Sequence, residues 1–125
     1  MRGRKLNRHP KHKKALMRNL ITQLVTHERI RTTVAKAKEL RGLAEKVIHK
    51  GKSHPLLKIS TGKMDTHMSY VYLNSVFFTP EASTKVKHEL VPRYANRASG
   101  FTRIVKLGRR KNDKAEMCYI EYIGK

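Results

Sequence analysis

Residues 11–50 read KHKKALMRNLITQLVTHERIRTTVAKAKELRGLAEKVIHK, and this stretch decides the fold. Met17, Leu20, Ile21, Leu24 and Val25 recur at the three- and four-residue spacing of one helix face. Lys11, Lys14 and Arg18 follow one another along a neighbouring edge, so the helix joins a core-facing stripe to a basic strip. Pro10 suits a first turn, where its missing N–H is no loss. The β-branched Ile30, Thr32 and Thr33 predict a brief strand within Glu28–Thr33, with Thr32 or Thr33 capping the next helix. That helix is expected from about Val34 to Lys50, burying Ala37, Leu40, Leu43, Ala44, Val47 and Ile48. Gly51 is expected just past its end. Arg41 and Glu45 form an i, i+4 pair along it.

Outward from this stretch the signals differ. Residues 1–10 have no apolar period and are expected to be an extended basic arm that orders only on a partner. Pro55 and Gly62 punctuate residues 52–63, which predicts a loop. Met68–Phe78 has strand-like composition in Tyr70, Val71, Tyr72, Val76, Phe77 and Phe78. Yet Met68, Val71, Tyr72 and Val76 also fit helical spacing, so both readings stay open. Thr79-Pro80-Glu81 opens a helix, with Ala82, Val86 and Leu90 along one face until Pro92. Phe101–Leu107 and Glu116–Ile123 are expected as strands of a hairpin, joined by the basic stretch Gly108–Ala115. Cys118, Ile120 and Tyr122 share one face of its second strand. The expected fold is α+β: a two-layer domain with amphipathic helices packed on a small mixed sheet, plus the basic N-terminal arm. Residues 11–125 form one domain behind the arm at 1–10.

The chain has 125 residues, 29 Lys and Arg against 9 Asp and Glu, and a net charge of +20. Such a charge repels itself in the compact state and calls for a polyanion. Residues 1–14 carry seven cations and no acid, and residues 92–111 carry seven more, again with no acid. Two acid-free blocks in a small chain point to two contact zones. The candidate contacts to nucleic acid are Arg2, Arg4, Lys5, Arg8, Lys11, Lys14 and Arg18 in the first zone. Arg93, Tyr94, Arg97, Arg103, Arg109, Arg110 and Lys111 form the second. Tyr94 has two readings, a stacking ring for a base or a core residue.

Other chemistry is not supported. No run of about 18 apolar residues is present, so no transmembrane helix is expected, and no secretory signal is expected at the start. Cys118 is the one cysteine, which excludes an internal disulfide and reads as a small buried hydrophobe. The seven histidines are scattered, and His9 and His12 stand among lysines that would repel a cation, so no metal or other cofactor is expected. No acid/base pair, phosphate loop or nucleophile elbow is present, and no enzyme activity is expected.

Several stretches resemble one family. Arg4–Arg8 together with Ala15–Thr33 is similar to the start of the large-subunit ribosomal protein L-seventeen family, bacterial type. Ile30-Arg31-Thr32-Thr33, then Lys36–Arg41 and Glu45–Ile48, resembles its signature. Pro92–Ile104 is similar to its second hallmark, and Met117–Glu121 to its closing strand. The resemblance implies a structural constituent of the large ribosomal subunit. Such a protein binds and stabilises ribosomal RNA (rRNA) near the peptide exit, beside neighbouring large-subunit proteins, without membrane insertion or homo-oligomer formation. His49-Lys50-Gly51-Lys52, Phe77–Glu81 and the ending Ile120–Lys125 depart from the bacterial pattern and resemble mitochondrial relatives. A mitochondrial ribosome in the matrix is therefore expected, with a bacterial cytoplasm or a plastid as the alternative. A non-ribosomal protein that compacts nucleic acid shares the charge but not these blocks. A membrane-surface helix over residues 10–27 shares only the amphipathic stripe.

Overall fold

The computed structural model describes residues 3–52 and 66–124. Five helices and three strands follow in the order α1 (Pro10–His27), β1 (Arg29–Thr33), α2 (Val34–Lys52), α3 (Thr66–Val76), α4 (Pro80–Lys85), α5 (Val91–Arg93), β2 (Thr102–Arg109) and β3 (Glu116–Tyr122). The sheet order is β1-β3-β2, and both pairings are antiparallel. The expected mixed sheet is thus corrected to a wholly antiparallel one. The β2–β3 hairpin folds back on itself, and β1 enters on the free edge of β3 running opposite to it. The helices cover one face, as a two-layer α+β domain requires.

The core follows the helical stripes. Ile21, Leu24 and Val25 of α1 and Ala37, Leu40, Ala44, Val47 and Ile48 of α2 are fully buried, while Leu20 and Leu43 sit at its margin. Cys118, Ile120 and Tyr122 close the core from the sheet, as their shared face predicts. Met68–Phe78 resolves in favour of a helix, but the stripe is rotated from the expected one. Leu73 and Phe77 are buried, Tyr72 and Val76 are half-buried, and Val71 is exposed. The expected loop at 52–63 falls outside the described residues, apart from Lys52.

Two expectations at the ends of α2 are corrected. Gly51 does not end the helix; it lies inside it, pressed against α5. A Cβ at this position would stand 2.5 Å from Val91 Cγ2, so only glycine fits. Glu45 does not pair with Arg41. Its carboxylate accepts from the backbone N–H groups of Gly100, Phe101 and Thr102 at 3.2, 2.9 and 3.0 Å, and from Thr102 Oγ1 at 2.9 Å. That cluster holds the start of β2 against α2.

Thr79 precedes α4 with Pro80 in the first turn, as its sequence predicts. The chain then passes through a π-helical turn, Val86–Leu90, into α5. Val91 N–H donates to Val86 O across this wider turn. Pro92 follows directly; it has no N–H to give to the preceding turn, and a widened turn accommodates it. Ala82, Val86 and Leu90 stay on the buried face throughout.

Residues 6–8 form a turn within the stretch expected to be an extended arm. Leu6 and Asn7 take positive φ, Arg8 N–H donates to Lys5 O at 3.2 Å, and Arg4 N–H donates to Glu39 Oε2 of α2 at 3.0 Å. This stretch is tied back against α2 by a carboxylate on the helix.

Two glycines of α2 give opposite expectations. Gly42 is exposed, and a Cβ there meets nothing within 4 Å. Gly42→Ala should raise the unfolding free energy by about 1 kcal/mol, the helix-propensity gain. Gly51→Ala should lower it, because overpacking costs roughly 1–3 kcal/mol and outweighs that gain. Urea denaturation of both variants checks the pair.

Candidate nucleic-acid interface

The first zone separates into exposed cations and braces. Lys5, Lys11 and Lys14 are exposed and make no ion pair among the described residues. Arg4 is exposed as well, its backbone held by Glu39. Arg8 is half-buried, its guanidinium donating to Leu6 O at 2.9 Å within the turn. Arg18 reaches across from α1 to the end of α3. Its Nη2 donates to Phe77 O at 2.8 Å, and its guanidinium lies 4.3 Å from the centre of the Phe78 ring. Arg18 therefore joins two helices. Arg2 lies outside the described residues.

The second zone separates in the same way. Arg93 is committed to the interior: its Nη1 and Nη2 donate to the two oxygens of Glu28 at 2.8 and 3.3 Å. Tyr94 is a core residue, 3% exposed. Its ring sits 5.1 Å from Phe101 and 6.4 Å from Tyr122, and its hydroxyl donates to Ile123 O. No ring face is left for a base, so the stacking reading of Tyr94 is set aside. Arg97 is exposed on the turn after α5. Arg103 is exposed and pairs with Glu121 across the hairpin.

Beyond Ile104 the hairpin leaves the core. Residues 105–114 are all exposed. Lys106, Arg109, Lys111 and Lys114 carry their charge there without an ion pair among the described residues. Arg110 differs, since its Nε donates to Asp113 Oδ1 at 2.8 Å. Asp113 also accepts from Ala115 N–H, and these contacts hold its carboxyl well below the usual range. The pair shapes the loop that presents the other cations.

Two features escaped the charge map. The exposed side of α2 carries Lys38, Arg41, Lys46 and Lys50. Its two glutamates, Glu39 and Glu45, are both turned to internal contacts. Between α1, α2 and the end of α3 lies a groove of about 580 Å³. Met17, Leu43 and Val76 line its floor, and Lys14, Arg18, Lys38 and Lys46 its rim. The signal for α2 was present in the helical spacing of its lysines, but the destination of Glu39 and Glu45 was not.

Glu28 is a buried charge. It ends α1 in the left-handed conformation at φ 60, and its backbone carbonyl accepts from Tyr122 N–H of β3. Its carboxylate takes Arg93 and, at 3.2 Å, Lys85 of α4. The Arg93 hydrogen bonds, outweighing desolvation and reinforced by Lys85, hold its pKa down at about 2. Glu39 is likewise lowered, chiefly by Lys13 at 2.8 Å.

The arrangement is a body in which Glu28, Glu39, Glu45 and Glu121 serve as fastenings and whose outer faces are mostly cationic. The described residues contain no cluster of three or more potential metal ligands. The family profile described as ribosomal protein L17 matches residues 16–123. The chain belongs to the ribosomal protein L17 family. Its relatives include "Large ribosomal subunit protein bL17" of Nautilia profundicola, 46% identical over 97% of this chain and 93% of that protein. Proteins with the same name from Trichlorobacter lovleyi and Pelobacter propionicus are each 42% identical, over 97% of this chain and 89% and 87% of theirs. As members of a structural family, such chains are not enzymes.

A depressed carboxyl pKa stabilises the fold above its ordinary value of 4.5, and that stabilisation is lost as pH falls toward about 2. Glu28→Gln should therefore cost up to about 3 kcal/mol at neutral pH. The gap between the two proteins should close progressively on acidification. Chemical denaturation of both from pH 7 downward measures it.

Proposed function

We propose that this chain is a structural constituent of the large ribosomal subunit that binds and stabilises rRNA. The observation that carries the reading is membership of the ribosomal protein L17 family, joined to a surface rich in exposed cations, most of them without an ion pair among the described residues. Arg4, Lys5, Lys11, Lys14, Arg97, Arg103, Arg109 and Lys111 are the proposed backbone contacts, with Lys38, Arg41 and Lys46 of α2 added to them. Each phosphate neutralised releases a counterion, so affinity falls steeply with salt. Arginine can grip a phosphate with two parallel hydrogen bonds, where lysine acts as a point charge. Arg8, Arg18, Arg93 and Arg110 serve by positioning these elements. Arg2 joins the contacts of the first zone on charge alone.

The site beside the peptide exit, among neighbouring large-subunit proteins, rests on the family resemblance. For the compartment, the departures at residues 49–52 and 77–81 support a mitochondrial ribosome. The three bacterial relatives support a bacterial one. Gradient sedimentation of a lysate and of purified mitochondria separates the two. Co-migration with the large subunit, lost in high salt with EDTA, is the expected result. Protein that stays at the top of every gradient overturns the proposal.

Binding of the full chain to a large-subunit rRNA transcript gives a second test. Arg109→Ala with Lys111→Ala should reduce the slope of log affinity against log salt by about 1.5. An unchanged slope removes the hairpin tip from the interface.

A further inference from the structure

Among the described residues, the sheet has helices on one face only. Ile30, Ile104, Cys118, Ile120 and Tyr122 point toward them. Alternation places the intervening residues on the other face, and the pairing register brings them together. Arg29, Glu121 and Arg103 form one row across the three strands; Arg31, Tyr119 and Val105 form the next. Arg31, Arg103 and Val105 are exposed, and the Arg29 side chain keeps 54% of its accessible surface. This face is open.

Its chemistry is specific. Three arginines surround one glutamate, so the face is net positive. The Arg29 guanidinium lies 3.8 Å from the centre of the Tyr119 ring, a stacked cation–π contact. Glu121 forms an ion pair with Arg29 Nε at 3.3 Å on one side and accepts from Arg103 Nε at 2.9 Å on the other. It holds both planes in place along the row. Tyr119 sits on the central strand, half-buried, with its ring and the guanidinium above it forming a flat stack edged by cations.

We propose that this open sheet face is a second RNA-contact site, at which an unpaired nucleotide stacks on the Arg29–Tyr119 platform. Arg31 and Arg103 take the flanking phosphates. The proposal rests on the rRNA-binding reading above and extends it from backbone neutralisation to base stacking. A paired helix buries its base faces, whereas unpaired bases stack on aromatic rings and guanidinium planes. The apolar area is small, limited to Val105 and the Tyr119 ring, and the charge is of one sign. Both features suit a polyanion with planar groups better than a protein surface. Arg29 and Val105 are contact residues; Tyr119, beneath the guanidinium, and Glu121 are positioning residues.

The test uses the full chain with a single-stranded oligouridylate of about 12 nucleotides carrying 4-thiouridine, and an RNA duplex of matched length. Photo-crosslinking should attach the single strand to Tyr119 or its neighbours on the face. Tyr119→Ala should weaken single-strand binding roughly tenfold and duplex binding far less, and Tyr119→Phe should restore it. Val105→Glu adds an anion at an exposed position and should weaken single-strand binding too. Wild-type chain that binds rRNA and loses affinity through the hairpin-tip variant, but is indifferent to both face variants, overturns this proposal and leaves the parent reading standing. Wild-type chain that binds no rRNA overturns both. Face variants that bind RNA normally but release a large-subunit protein make the face a protein contact, which also overturns it.

Discussion

The buried carboxylate of Glu28 is the joint on which the architecture depends. One residue ends α1, turns the chain through a left-handed conformation, starts β1, and receives β3 through its carbonyl. Its side chain then draws in Arg93 and Lys85 from the helical segment that follows α3. A charge this buried is tolerated only with such partners, since an unpaired ion in the interior costs several kcal/mol. The layers of helix and sheet are thus fixed relative to one another by an ion cluster at their seam, and the apolar core fills the space beneath.

Four other acids repeat the pattern at smaller scale. Glu45 gathers three backbone donors and a hydroxyl where the chain enters β2. Glu39 secures the turn before α1, and Asp113 shapes the hairpin loop with Arg110. Glu121 bridges two strands. A chain with 9 acids against 29 Lys and Arg gains most by placing those acids where they hold the fold. What remains outside is mostly cationic, which is the condition for binding a polyanion along several faces.

Helical spacing made α1, α2 and the helix after Pro80 legible, and alternation made β3 legible, because each buries a regular stripe. Met68–Phe78 was ambiguous because its aromatic, β-branched composition and its spacing disagreed; packing of Leu73 and Phe77 against the helices settles it. The two basic blocks were visible, but not the division of labour within them. Arg93 and Lys11 look alike in sequence; what separates them is Glu28, 65 residues away from Arg93, and no local pattern reports that. The open sheet face was hidden for the same reason. Arg29, Tyr119 and Arg103 are scattered along the chain and meet only through strand register.

The bulge between Lys106 and Gly108 has a consequence for how this hairpin can change. A strand alternates sides with every residue, so one extra residue reverses the parity of everything beyond it. Below Lys106 the alternation is locked to the core by Ile104 opposite Ile120. Above Gly108 nothing is buried, and the count begins afresh. The tip can lengthen, shorten or exchange its charges without shifting the phase of the strands beneath. It is a module whose reading frame is independent of the body that carries it.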